Sequence, residues 1–107
     1  MEGIRSPVVR PMGAPEGSDS SWHLFPVLVD PSRREEFLRH LKSGGVGASI
    51  HYPVEIPGQP AMRGLQAEMA DGCLTARRLC ASEISLPIHP YLTDAEVANV
   101  LDTVNRW

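Results

Sequence analysis

Lysine is almost missing from this chain of 107 residues: Lys42 stands alone beside nine arginines. Any chemistry that runs through a lysine amine has this one residue to draw on. Lys42 falls at the end of a predicted amphipathic helix, where an ammonium complements the helix dipole and stays in water instead of entering a pocket that lowers its pKa. Cysteine is also scarce. Cys73 and Cys80 are seven apart in a segment that reads as helix, about 10 Å of rise, too far for a disulfide. They read as small apolar core residues on one helical face, with reduced thiols. No apolar run approaches the roughly 20 residues of a membrane span, and the N-terminal "MEGIRSPVVRPMGAPEG" lacks the apolar stretch of a secretory signal, so a cytoplasmic protein with no membrane partner is expected. A net charge of -3 supplies no concentrated basic surface, which argues against nucleic acid. His23, His40, His51 and His89 have no Cys, His or carboxylate partner at a ligand spacing, so no metal site is expected. There is no G-x-S-x-G elbow, and "SGGVG" leads into a strand, so it reads as a helix stop and not as a phosphate loop.

What is present fits one domain with a modest core. Residues 1–21, with Pro7, Pro11 and Pro15 placed so that no helix runs through them, read as a flexible tail or linker. The domain is expected over 22–107. "WHLFPVLV" reads as a strand that Pro26 sends to a sheet edge. "DPSRREEFLRHLKSGG" offers Asp30 as N-cap, Pro31 in the first turn and Gly44-Gly45 as the stop, with Phe37, Leu38 and Leu41 as the buried stripe and His40 on the wet side. "VGASIHY" alternates as a half-buried strand, "GCLTARRLCAS" repeats Cys73, Ala76, Leu79 and Cys80 at helical spacing, and "EISLPIHP" is a short third strand. Thr93 and Glu96 make a capping box for a last helix with Val97, Val100, Leu101 and Val104 on its apolar stripe. The class expected is α+β, a small mixed or mostly antiparallel sheet of about three strands with helices on one face. The first two strands should run parallel through a right-handed crossover, with the third antiparallel beside or between them.

The stretch "IHYPVEIPGQPAMRG" fits neither strand nor helix. It sets His51, Tyr52, Glu55 and Gln59 among three prolines and two glycines. A titratable ring and a phenol at the end of a strand, beside a proline that fixes the backbone, stand on a support stiff enough to meet a ligand. The plainer alternative is that Tyr52 packs and His51 caps the strand.

Taken together, "WHLFPVLV", "GVGASIHYPVEIPGQPA" and "SLPIHPYLTDAEV" resemble the C-terminal segment of the DegT/DnrJ/EryC1/StrS aminotransferases, pyridoxal-phosphate enzymes that aminate nucleotide-linked keto-sugars. The resemblance implies the small domain of a fold-type-I aminotransferase, walling the active-site mouth, with His51, Tyr52 and Gln59 near the sugar nucleotide and His89 stabilising a turn. It implies no catalytic or cofactor-binding residue in this chain: the Schiff-base lysine belongs to the large domain, and Lys42 does not occupy its place. The partners implied are the nucleotide sugar, the large domain and a homodimer mate. Glu55, Pro57 and Gly58 stand where the family commonly has a proline, a histidine and a leucine, and Met62 replaces a frequent tyrosine. On this resemblance the chain alone is expected to be inactive. The alternative is a stand-alone binding or dimerisation module that kept the fold.

Overall fold

A computed structural model describes residues 3–64 and 70–107. Its elements are β1 (Arg10–Pro11), β2 (Phe25–Leu28), α1 (Arg34–Ser43), α2 (Leu74–Ser82), β3 (Glu83–Leu86) and α3 (Asp94–Asn105), joined by short 3-10 turns. The sheet has the order β1-β2-β3 and both pairings are antiparallel, which makes the protein α+β as expected.

Period-two alternation sorts the strands into two faces. The pairs Phe25↔Leu86 and Val27↔Ile84 point to one side, where Val9 and Val29 join them. Phe37 and Leu41 of α1 and Val104 of α3 close over that side, so the core is a helical layer on one sheet face. Phe37, Leu41, Val27, Ile84 and Val104 are fully buried.

α1 starts and stops by local chemistry. The Asp30 carboxylate accepts from the Ser32 N–H, Pro31 opens a 3-10 turn, and the chain passes directly into the helix. At the far end Gly45 takes φ +73°, so that its N–H reaches Lys42 O and the Val46 N–H reaches Leu41 O, the Schellman closure that a β-carbon would strain.

Four expectations need correction. Val9 is buried, Ile4 packs on the core and Arg10–Pro11 pairs with β2, so the stretch 1–21 is not wholly a tail and the boundary at 22 falls inside the fold. Asn105 fastens this segment, accepting from the Arg5 and Ser6 N–H groups and donating to Gly3 O. Apolar residues scattered among prolines gave no strand period, which is why the sequence conceals it.

Pro26 does not mark an edge either, because β2 is the central strand. In β2 the odd residues bond towards β3, while the Pro26 carbonyl accepts from Met12 N–H on the other side. The missing donor therefore falls where β1 has already ended, and the β3 ladder loses nothing.

His40 is not on the wet side. Its Nε2 donates to Thr103 O at 2.7 Å, and its ring lies against Phe37 and Trp107. The strand expected over 46–52 shrinks to one bridge, Ser49↔Ser85, antiparallel to β3. That bridge still places β3 between two segments that run parallel to each other. No helix among the described residues is long and apolar enough to cross a membrane.

Candidate functional site

From Ile50 to Gly64 the chain turns away from its bridge to β3 and runs as an irregular loop with two 3-10 turns, Ile56–Gly58 and Pro60–Met62, each opened by a proline in its first turn. Side chains fasten it at its start and in its middle. The Glu83 carboxylate accepts from the His51 N–H at 2.8 Å, and the Arg77 guanidinium donates to Glu55 Oε1 at 2.7 Å, tying the middle of the loop to α2. Within the loop the Gln59 amide donates to Val54 O.

A groove of about 580 Å³ opens between the loop and α2. Its walls are nearly all apolar, with Ile56 and Met62 on the loop side and Cys73, Leu79 and Cys80 on the helix side. The helical stripe read as core is thus a groove wall: no residue of α2 is fully buried, and both cysteines are half-buried. Cys73 stands just ahead of the helix with a left-handed φ of 58° and is its N-cap.

His51 and Tyr52, joined by a cis peptide bond, sit at the mouth of the groove with their rings edge to face, centroids 5.5 Å apart. Tyr52 is 67% exposed and Ile56 73%, so an aromatic and an aliphatic side chain face solvent at one opening. Two of the three residues expected at a substrate, His51 and Tyr52, are therefore brought together on one rim. Gln59 does not line the groove and spends an amide hydrogen on its own loop. His89 lies elsewhere, in an exposed turn where its carbonyl accepts from Leu92 N–H and its Nδ1 from Tyr91 N–H.

Among the described residues the charged lining residue is Glu55, and the Arg77 hydrogen bond holds its carboxyl below the ordinary glutamate range. Sequence reasoning missed Arg77 and Glu83. Arg77 looks like a solvated charge on a helix, whereas Glu83 carried a signal that went unread, a lone acid at the head of the apolar strand "EISL".

The arrangement can present an apolar floor, an aromatic edge and an imidazole to a ligand. Pyridoxal phosphate is a poorer match to it. Lys42 is exposed in the last turn of α1, and no lysine or arginine is among the described residues lining the groove, so that lining offers the cofactor neither an amine for its aldehyde nor a cation for its phosphate.

Comparison with known proteins agrees across sequence and structure. The chain is 30% identical over 107 residues to dTDP-3-amino-3,6-dideoxy-alpha-D-galactopyranose transaminase of Aneurinibacillus thermoaerophilus, covering 100% of this chain and 28% of that protein. Over 73 residues it is 36% identical to UDP-2-acetamido-2-deoxy-3-oxo-D-glucuronate aminotransferase of Pseudomonas aeruginosa, covering 68% of this chain and 19% of that one. The crystal structure of S. venezuelae DesV in complex with a ketimine intermediate superposes with a TM-score of 0.84 at 31% identity, over 99% of this chain and 28% of that one. The chain thus spans less than a third of the length of the proteins it matches. A model of the DegT/DnrJ/EryC1/StrS aminotransferase family matches residues 4–105, and with these relatives it shows that the chain belongs to that family.

Proposed function

We propose that this chain is the C-terminal small domain of a sugar aminotransferase and that its His-Tyr loop walls the mouth through which a nucleotide-linked keto-sugar reaches the cofactor. The observation that carries this reading is the pairing of His51 and Tyr52 on the rim of an open, apolar-floored groove. A sugar ring offers C–H faces that suit such a floor and hydroxyls that suit an imidazole and a phenol. Gln59, which binds Val54 O through its amide, is assigned a supporting role in the shape of the loop that forms this mouth. The choice of substrate class is supported by two relatives that are named for dTDP- and UDP-linked sugars.

Amine transfer itself is assigned to the part of the relatives' length that this chain does not span. Pyridoxal phosphate supplies the electron sink of such reactions, and Lys42 is placed to stay in water. In this reading the chain binds and orients substrate but does not transaminate alone.

Calorimetric titration with a dTDP-linked and a UDP-linked sugar tests the proposal. Tyr52→Ala is expected to weaken binding about tenfold, or ~1.4 kcal/mol, the loss of one aromatic contact at a binding rim. Equal affinity in wild type and variant contradicts it. The exposed apolar side chains at the groove also suit a second reading, a non-catalytic dimerisation module. Concentration-dependent sedimentation together with no affinity for either sugar selects that one.

A further inference from the structure

We infer that Glu83 is the positioning residue of the His-Tyr loop: its buried carboxylate takes the place of a backbone carbonyl in the sheet ladder and thereby sets where His51 and Tyr52 stand at the groove. The inference rests on the proposed function for what the loop binds, but not for what holds the loop.

Glu83 is only 6% exposed, and no ion pair among the described residues includes it. A buried carboxylate without a cation is costly unless hydrogen bonds satisfy it. Two do. Oε2 accepts from the His51 N–H at 2.8 Å, and Oε1 accepts from the Ser85 hydroxyl, which lies two residues along the same strand and so on the same face.

The bridge Ser49↔Ser85 is a hydrogen-bonded pair, with N–H to O contacts of 3.2 and 2.8 Å exchanged in both directions. Extending that antiparallel register by two residues sets His51 opposite Glu83, where a regular ladder exchanges the next pair of backbone bonds. The Glu83 N–H is not available for it, because it closes the end of α2 on Leu79 O. The carboxylate accepts the His51 N–H instead. One residue therefore ends α2, begins β3 and aims the loop, and the strand expected over 46–52 stops where its last donor is diverted to a side chain.

The His51 ring has no comparable hold of its own. Its Nδ1 is buried with no hydrogen-bond partner among the described residues, and its ring packs edge to face on Tyr52. The orientation of both rings thus depends on the main chain at His51, which Glu83 anchors.

The test is amide hydrogen exchange at His51, read by NMR, in the wild type, in Glu83→Met, which keeps the volume and removes the acceptor, and in Glu83→Gln, whose amide accepts from His51 and donates to Ser85. Exchange is expected to quicken about tenfold in the Met variant and to return near the wild-type rate in the Gln variant, with Val27 and Ile84 amides protected throughout. An unchanged His51 rate in a Met variant whose Val27 and Ile84 amides stay protected overturns the inference, and so does a Gln variant no slower than Met. Should the Met variant not fold, Ser85→Ala removes the hydroxyl that steadies the carboxylate; faster exchange at His51 supports the inference and an unchanged rate overturns it. Affinity for a dTDP-linked sugar is expected to fall with Met and recover with Gln. If the wild type binds no sugar nucleotide, the proposed function fails while the exchange rates still decide the role of Glu83.

Discussion

Arg77 and Glu55 show how much a single pair of side chains can do at this site without adding much to the stability of the whole. Arg77 is about half exposed and Glu55 only 13%, so the bond grips an otherwise tucked carboxylate from the water side. Exposed ion pairs contribute little to global folding, but this one joins the loop to the helix across the groove. Because the bond to Arg77 lowers the folded-state pKa of Glu55, the tether is fully present above the ordinary glutamate range and is lost as pH falls through the lowered value. Asp30, lowered mainly by the Ser32 hydroxyl, and Glu96, lowered by Thr93, have the same sign, so acid weakens all three contacts and mild base none of them. Replacing Arg77 with Ala is expected to return the Glu55 carboxyl titration, followed by carbon NMR, to the ordinary glutamate range while the thermal midpoint stays in place. A titration that does not move in the variant contradicts the tether.

Among the elements, α3 is the one whose start follows most directly from its own residues, although Val97 of its apolar stripe is exposed. The Thr93 hydroxyl accepts from Glu96 N–H, the Glu96 carboxylate accepts from Thr93 N–H, and the far end carries Val104 into the core. Thr93→Ala is expected to lower unfolding free energy by about 1 kcal/mol, seen as a lower urea midpoint at unchanged slope; an unmoved midpoint contradicts the capping account. This helix was legible because its signals lie within four residues of one another. α1 was legible for the same reason, through Asp30, Pro31 and Gly45. α2 was readable as a helix, but Cys73, Ala76, Leu79 and Cys80 give the same periodicity whether they meet a core or line a groove, and only the loop across from them decides which. Strand 46–52 failed in a similar way: its alternation was real, but the donor at His51 was claimed by Glu83, 32 residues away. Of the candidate site, His51 and Tyr52 could be found from local chemistry, and Gln59 could not be judged until its amide was seen to point back into the loop.

In the whole molecule, the N-terminal stretch and the C-terminal helix hold each other. Asn105 receives Arg5 and Ser6, Trp107 lies on Phe37 and under the Arg33 guanidinium 4.4 Å away, and the core closes between them. This arrangement leaves the loop and α2 on the outside of the packed layer, so the groove is open by construction and its lining is apolar although nothing in the core requires it. On the proposed reading this fold is a binding wall, and the chemistry of amine transfer belongs to the part of the relatives' length that this chain does not span. The most direct measurement is an NMR map of backbone shifts during titration with dTDP- and UDP-linked sugars. The account predicts saturable shifts centred on His51 and Tyr52 and extending to Met62 and Leu79 across the groove, with the amides of β2 unmoved. Shifts centred on any other face, with His51 and Tyr52 unaffected at saturation, would contradict it.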